Sequence, residues 1–377
     1  MTRRERLMAT LNGKPVDRPP VSFYELTGYD ENPNDNDPFN IYSHPTWLPL
    51  IELTREKTDR IVRRYPKIKN APPNPIDKLT KRETYFKDGS RYVSTTIKAG
   101  NRTLTSLTRQ DPDVNTVWTL EHLLKDTDDL RAYLDLPEET FSGTVDTDEI
   151  SKLDKELGET GIVMLDTGDP LCAACTLFDM ADYTITALTE QELFHRLMQR
   201  FASQIHARTE AVAKALPGRL WRIYGPEYAS EPYLPPNLFK EYVVGYDKPM
   251  IDSIHRYGGF ARIHSHGNLK NILDHIIATG AMGLDPVEPP GQGDVELKYV
   301  REKYGDKLVL FGNLEISDIE TMPTANFAKK VETALSEGTS GTGRGFVLMP
   351  SACPYGRILS DLTLHNYEKI IELVEAF

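Results

Sequence analysis

Gly259-Phe260-Ala261-Arg262-Ile263-His264-Ser265-His266-Gly267-Asn268 is the stretch from which the fold can be read. An apolar-rich run ends there in two histidines, a glycine and an asparagine. The residues that follow have helical spacing. Leu269, Ile272, Leu273 and Ile276 make one apolar face that stops at Gly280, a usual helix terminator. A second short apolar run, 282–287, comes next. Strand, helix and strand in so few residues predict a parallel pair with a crossover helix.

The same alternation extends outward. Runs at 162–166, 219–224, 259–264, 282–287, 307–313 and 345–349 read as strands. Helical patterns at 192–216, 236–257, 268–279, 295–304, 327–337 and 363–376 follow them in turn. Units of roughly 25 to 45 residues predict an α/β protein built as a (β/α)8 TIM-type barrel. One such domain accounts for residues 1–377. A doubly wound open sheet is the runner-up, weakened because no phosphate-cradling glycine fingerprint follows the early strands. In the first half, 4–11 reads as a helix and 20–24 as the first barrel strand. The polar, proline-dotted stretch 29–135 reads largely as an insertion capping the barrel mouth. Within it 83–97 reads as a hairpin turning at Asp88-Gly89.

Composition excludes several functions. Lys and Arg number 44 against 56 Asp and Glu, a net charge of −12 that argues against nonspecific nucleic-acid or anionic-membrane binding. No apolar run approaches the roughly 18 residues of a membrane span. The charged start, Met1-Thr2-Arg3-Arg4-Glu5-Arg6-Leu7, leads into no apolar core, so no secretory signal is expected. Three cysteines in a chain of this length predict no disulfide framework and a reducing cytoplasm.

In a barrel, working residues stand at the C-terminal ends of the strands. Here those ends present Tyr24, Glu25, Asp166, Asp169, Glu227, His264, His266, Glu288, Asn313 and, in Pro350-Ser351-Ala352-Cys353-Pro354, Cys353. Two imidazoles one residue apart, where a strand breaks into a loop, can share a pocket. A thiol from another strand end would complete the ligand set of an open zinc site, with Glu227 or Glu288 in a fourth place. The same residues also read as a loop histidine, a capping histidine and a buried thiol, and spacing alone leaves both readings open. Asn268, and Asp169 before Pro170, read most simply as helix N-caps. The Cys172-Ala173-Ala174-Cys175 pair competes as a metal or redox signal, but without a second CxxC it reads as packing. His195, His206, His255 and His275 lie on helical patterns and read as surface or packing residues. Tyr24, Tyr228 and Tyr233 are candidates to wall an aromatic ring.

With these residues placed, the chain resembles the uroporphyrinogen decarboxylase superfamily nearly from end to end. The resemblance rests on five segments. They are Arg4-Glu5-Arg6-Leu7-Met8-Ala9-Thr10-Leu11-Asn12-Gly13-Lys14-Pro15-Val16-Asp17-Arg18-Pro19-Pro20, Ile263-His264-Ser265-His266-Gly267-Asn268, Leu284-Asp285-Pro286-Val287-Glu288, Leu310-Phe311-Gly312-Asn313 and His365-Asn366-Tyr367. It implies the (β/α)8 barrel. The decarboxylases themselves carry a segment similar to Arg-Gln-Ala-Gly-Arg-Tyr after the first strand. Here that place reads Phe23-Tyr24-Glu25-Leu26-Thr27-Gly28-Tyr29-Asp30, acidic and without arginine, and poorly suited to a substrate bearing many carboxylates.

The corrinoid-dependent methyltransferase branch resembles this chain in a zinc motif of His-x-Cys with a distant Cys. His264-Ser265-His266 and Cys353 match it, except that histidine replaces the first cysteine. Two thiolates suit zinc to activating a thiol acceptor such as coenzyme M. A neutral imidazole in place of one leaves the metal more Lewis-acidic and better suited to an ether oxygen. The resemblance thus implies an O-demethylating methyltransferase that passes a methyl group from a methoxylated, aromatic substrate to the Co(I) corrinoid of a separate protein. Zinc would sit on His264, His266 and Cys353. Glu227 and Glu288 would assist the departing oxygen, and Tyr24, Asp169, Tyr228 and Asn313 would hold the substrate. No corrinoid-binding domain is visible, so that cofactor is expected in trans, and a homodimer is among the expected assemblies. The alternatives are transfer in reverse to a thiol, a metal-free lyase with Asp166 or Asp169 holding pyrrole N–H groups, and a noncatalytic binding barrel.

Overall fold

The structure, a computed structural model, describes residues 1–28 and 37–377. Tyr29 and Asp30, which end the acidic segment and begin the expected cap, lie outside the described residues. The strands in chain order are β1 (Arg60–Arg64), β2 (Ile68–Lys69), β3 (Thr80–Lys87), β4 (Ser90–Ala99), β5 (Arg102–Gln110), β6 (Val117–Glu121), β7 (Thr144–Val145), β8 (Gly161–Gly168), β9 (Leu220–Tyr224), β10 (Phe260–His264), β11 (Gly283–Asp285), β12 (Val309–Leu314) and β13 (Phe346–Pro350). Seven of them form one curled parallel sheet in the order β1-β8-β9-β10-β11-β12-β13. Helices cross over between successive strands, so the α/β class and the TIM-type arrangement follow from the alternating pattern.

Among the described residues, no ladder joins the two edges of this sheet. Between them lies the 20–22 segment, expected as a strand, which makes only an isolated bridge from Val21 to Leu348. Its backbone nonetheless touches both sides. Ser22 N–H donates to Leu348 O at 3.0 Å, Leu348 N–H to Pro20 O at 2.9 Å, and Asp59 N–H to Val21 O at 2.7 Å. Pro19 and Pro20 have no N–H to give, which stops a longer ladder at its start.

The stretch expected as a cap contributes to the main sheet as well. β1 pairs in parallel with β8, Ile61 opposite Ile162 and Val62 opposite Val163. Three arginines among its five residues hid it from an apolar-run reading. Farther along, β3, β4, β5 and β6 form an antiparallel sheet in that order. Asp88 and Gly89 turn between β3 and β4 with φ of 52° and 81°, the left-handed pair a two-residue turn needs. β3 is the outer edge and is largely exposed.

Two helices depart from their expected form. The 236–257 pattern becomes an α-helix, a π turn at Lys240–Val244, and a second α-helix Gly245–Arg256. The 268–279 pattern becomes a helix only from Leu273 to Thr279. Asn268 is not its cap. Asp294, from beyond the next strand, accepts the N–H groups of Leu269 and Lys270 at 2.7 and 3.0 Å. A remote carboxylate fixes the chain after the histidines, where a local cap was expected. Glycine holds another close approach: Gly312 has φ of 147°, and a Cβ there would lie 1.9 Å from Pro286 O. Among the described residues, no helix is long and apolar enough to cross a membrane.

Candidate active site

Strand register builds the floor of the site. Asp166 of β8 lies opposite Arg222 of β9, and Arg222 opposite Arg262 of β10. One residue pair onward from Arg262, His264 lies opposite Asp285 of β11. Residues two apart on a strand face the same side, so Arg262 and His264 share a face. All five side chains are buried. Charges so placed must be paired, and each is.

Arg222 grips Asp166 with Nε at 2.9 Å and Nη2 at 2.7 Å. Tyr65 donates to Asp166 Oδ2 at 2.7 Å, so both carboxylate oxygens are committed. Arg222 also bonds Tyr24 Oη, and Arg63 bonds Glu25. Arg262 lies across the Phe311 ring, 4.5 Å from its centroid, with Nε 2.9 Å from Asp285 Oδ1. Burial raises the Asp285 carboxyl, but Arg262 and His264 outweigh it and hold the group below the ordinary carboxylate range. Burial pushes the Tyr24 hydroxyl well up, so it remains protonated. A cavity of about 20 Å³ is all that this layer leaves, room for about one water molecule. A substrate must therefore lie above it.

The two histidines stand at that upper level. His264 Nδ1 is 2.8 Å from Asp285 Oδ2, and His266 Nδ1 is 2.7 Å from Glu288 Oε1. Glu288 also accepts Gly267 N–H at 2.7 Å, an approach open because Gly267 takes φ of 79°. The imidazole centroids are 4.6 Å apart with planes at 89°. Both Nδ1 atoms are thus engaged by carboxylates and both Nε2 atoms are turned away from them. Tyr24 Oη is 3.4 Å from the His264 Nε2. For His266, burial lowers the affinity for a proton, but the Glu288 hydrogen bond and charge raise it further, and the net direction is up. Glu288 is raised by burial and lowered more by His266, so it is held ionised. Glu25 and Val287 flank the site with φ of 59° and 51°, left-handed conformations that cost a non-glycine residue energy.

The other expected residues are distributed around this centre. Glu227, in the short turn Pro226–Ala229, accepts Gly225 N–H at 3.0 Å. Asp169 is fully buried and caps the helix Pro170–Cys175, accepting Cys172 N–H at 2.5 Å. Tyr228 accepts the Tyr183 hydroxyl on its carbonyl at 2.7 Å, and Tyr233 is exposed. Asn313 lines a separate cavity of about 240 Å³ with Glu315 and Lys330. Cys353, half-buried after β13, has Sγ 3.7 Å from Tyr42 Oη. The imidazole pair has the donors and the carboxylate-held orientation that zinc ligands show. The thiol does not stand with it: among the described residues, no three His, Cys, Asp or Glu side chains are grouped to hold a metal ion.

Cys172 and Cys175 are free thiols whose ionisation burial opposes, as packing residues would be. His195 is tied to Tyr246 and Glu241 and His206 to Tyr246 O, on helices away from the strand ends. Arg63, Tyr65, Arg222 and Arg262 escaped the sequence reading. Their signal was present: a charged residue at the centre of an otherwise buried strand needs a buried partner.

Residues 116–377 match the uroporphyrinogen decarboxylase (URO-D) family. No curated protein matches the sequence. Among solved structures, a methyltransferase from Methanosarcina mazei superposes with a TM-score of 0.61 at 16% identity, over 100% of this chain and 99% of that one. The tandem GH20 catalytic modules of the pneumococcal exo-β-D-N-acetylglucosaminidase StrH match at a TM-score of 0.34 and 10% identity, over 74% of this chain and 71% of that one. The first likeness shows the fold; the second is too weak to carry an argument.

Proposed function

The chain belongs to the uroporphyrinogen decarboxylase (URO-D) family, and from that premise we propose that it is a zinc-dependent methyltransferase, moving a methyl group from a methoxylated aromatic substrate to the Co(I) corrinoid of a separate protein. The observation that supports this reading is the imidazole pair, each ring held through Nδ1 by its own carboxylate. Zinc, held by His264, His266 and Cys353, would supply Lewis acidity at the ether oxygen, and the corrinoid would accept the methyl group. Cys353 must approach the imidazoles to take part.

The chain's own residues then have separable tasks. Asp285 and Glu288 orient the rings and fix which nitrogen faces the mouth. Glu288, held ionised by His266, serves as a positioning residue for that imidazole. Glu227 is the carboxyl left to assist at the departing oxygen. The packed arginine layer seals the floor and excludes water from below.

Charge balance argues against decarboxylation of a polycarboxylate. The arginines missing from the first loop are supplied by β1, β9 and β10, but Arg63 is taken by Glu25, Arg222 by Asp166 and Arg262 by Asp285. Among the described residues, these three arginines bring no unpaired positive charge to the mouth. Asp166, the acid suggested for pyrrole N–H groups, has both oxygens occupied.

Zinc analysis of the wild-type protein, Cys353→Ser and Glu288→Gln tests the reading. About one zinc per chain is expected, lost in Cys353→Ser, with affinity reduced about 10- to 100-fold in Glu288→Gln. The zinc-loaded protein should demethylate a methoxyarene when given reduced corrinoid protein. Wild-type protein without zinc would sink the proposal. Methylation of a thiol with no demethylation would reverse its direction.

A further inference from the structure

Another cavity lies on the opposite face of the molecule. Loops that precede parallel strands gather at their N-terminal ends, away from the site above. The 339–345 loop precedes β13, and residues 13–19 precede the bridging segment. With Arg301 of the helix Leu297–Tyr304 they line a cavity of about 440 Å³. Lys14, Arg301 and Arg344 face it without an ion-pair partner among the described residues. Arg301 is buried and gives its N–H groups to the carbonyls of Ser340 and Gly345 at 3.0 and 3.4 Å. Arg344 donates to Leu11 O at 3.2 Å and keeps a buried Nε with no partner. Arg18, also on the wall, is neutralised by Asp59. Asp17, the acid on the wall, is gripped by Arg6 at 2.7 and 2.8 Å. In a chain of net charge −12, this is a local surplus of positive charge.

The loop itself is Ser340-Gly341-Thr342-Gly343-Arg344-Gly345. Its ends are tied, Ser340 N–H to Glu337 O at 3.2 Å and Arg344 N–H to Gly305 O at 2.7 Å. Between them the N–H groups of Gly341, Thr342 and Gly343 meet no acceptor among the described residues. Gly341 turns the chain with φ of 62°, and Gly343 rests on the Arg301 guanidinium: a Cβ there would lie 2.6 Å from Nη1. A run of unpaired backbone N–H groups above arginine is a donor set for a tetrahedral oxyanion. A carboxylate, with two oxygens in one plane, would leave part of it unused.

We propose that this cavity, lined by Lys14, Arg301, Arg344 and the 341–343 backbone, binds the phosphate group of a small molecule. It is independent of the methyl-transfer reading, because it shares no residue with that site. Titration calorimetry of the full chain with inorganic phosphate, pyrophosphate and citrate tests it. Phosphate or pyrophosphate is expected to bind and citrate not; pyrophosphate the tighter ligand would indicate a phosphate ester, inorganic phosphate the tighter a free ion. Lys14→Gln and Arg344→Gln should each weaken binding about tenfold. Urea midpoints of the variants without ligand confirm that they are folded, and Lys14→Gln removes no contact that supports the fold. No binding below about 1 mM by either phosphate, citrate bound equally well, or unchanged affinity in both variants would overturn the proposal.

Discussion

Asp247 is a buried acid without a hydrogen bond. It lies on the helix Gly245–Arg256, fully enclosed, and neither carboxylate oxygen has a partner among the described residues. Burial pushes its carboxyl well above the ordinary range, and the nearby charges of Asp169 and Glu227 push it in the same direction. The folded chain therefore keeps a proton that the unfolded chain releases above about pH 4, and stability falls as pH rises through that interval. Asp247→Asn should remove this slope. Urea midpoints measured from about pH 5 to pH 8 should decline less in the variant, which should be the more stable protein at the upper end. A variant less stable than wild type across the whole range would mean that the carboxylate is charged and partnered. Residues of this kind are hard to read in sequence, because Asp247 sits in a helical pattern where an acid is normally solvated. The histidines were legible, being rare and placed at a strand end. Arg222 and Arg262 were not, since a run rich in apolar neighbours masks a charge that only strand register pairs with an acid.

Elements were read well where apolar periodicity decides them and poorly where backbone chemistry does. β8 to β10 and β11 to β13 fall on the apolar runs, with ends shifted by at most two residues. β1 was missed because its buried face carries few apolar side chains between arginines. The helix from Leu273 was drawn too long because Asp294, remote in sequence, holds the N–H groups of Leu269 and Lys270 in the turn that precedes it. β11 and β12 show a sharper constraint. Gly312 lies so close to Pro286 O that no side chain fits, and its φ of 147° is itself glycine territory. Gly312→Ala should force the two strands apart and cost several kcal/mol, among the larger values for single substitutions. Urea unfolding measures this directly; a loss below about 0.5 kcal/mol would show that the strands yield easily.

At the scale of the molecule, the sheet is held at its seam by three residues and not by a full strand. The sequence pattern showed the α/β alternation but could not show this, because two prolines make the segment look like a strand start while denying it donors. Native-state hydrogen exchange tests how firmly the seam is held. The amides of Ser22, Asp59 and Leu348, all bonded across it, should exchange only through near-global opening. Amides on the outer edge of β3 should exchange faster by orders of magnitude. Seam amides as fast as those of β3 would mean that the sheet opens there first. The outer edge of β3 brings a different hazard. Tyr85 and Phe86 are exposed beside unpaired backbone groups, which is a template for another chain to add a strand and begin aggregation. Lys81, Arg82, Glu83 and Lys87 occupy the same strand. Their charges guard this edge against such pairing.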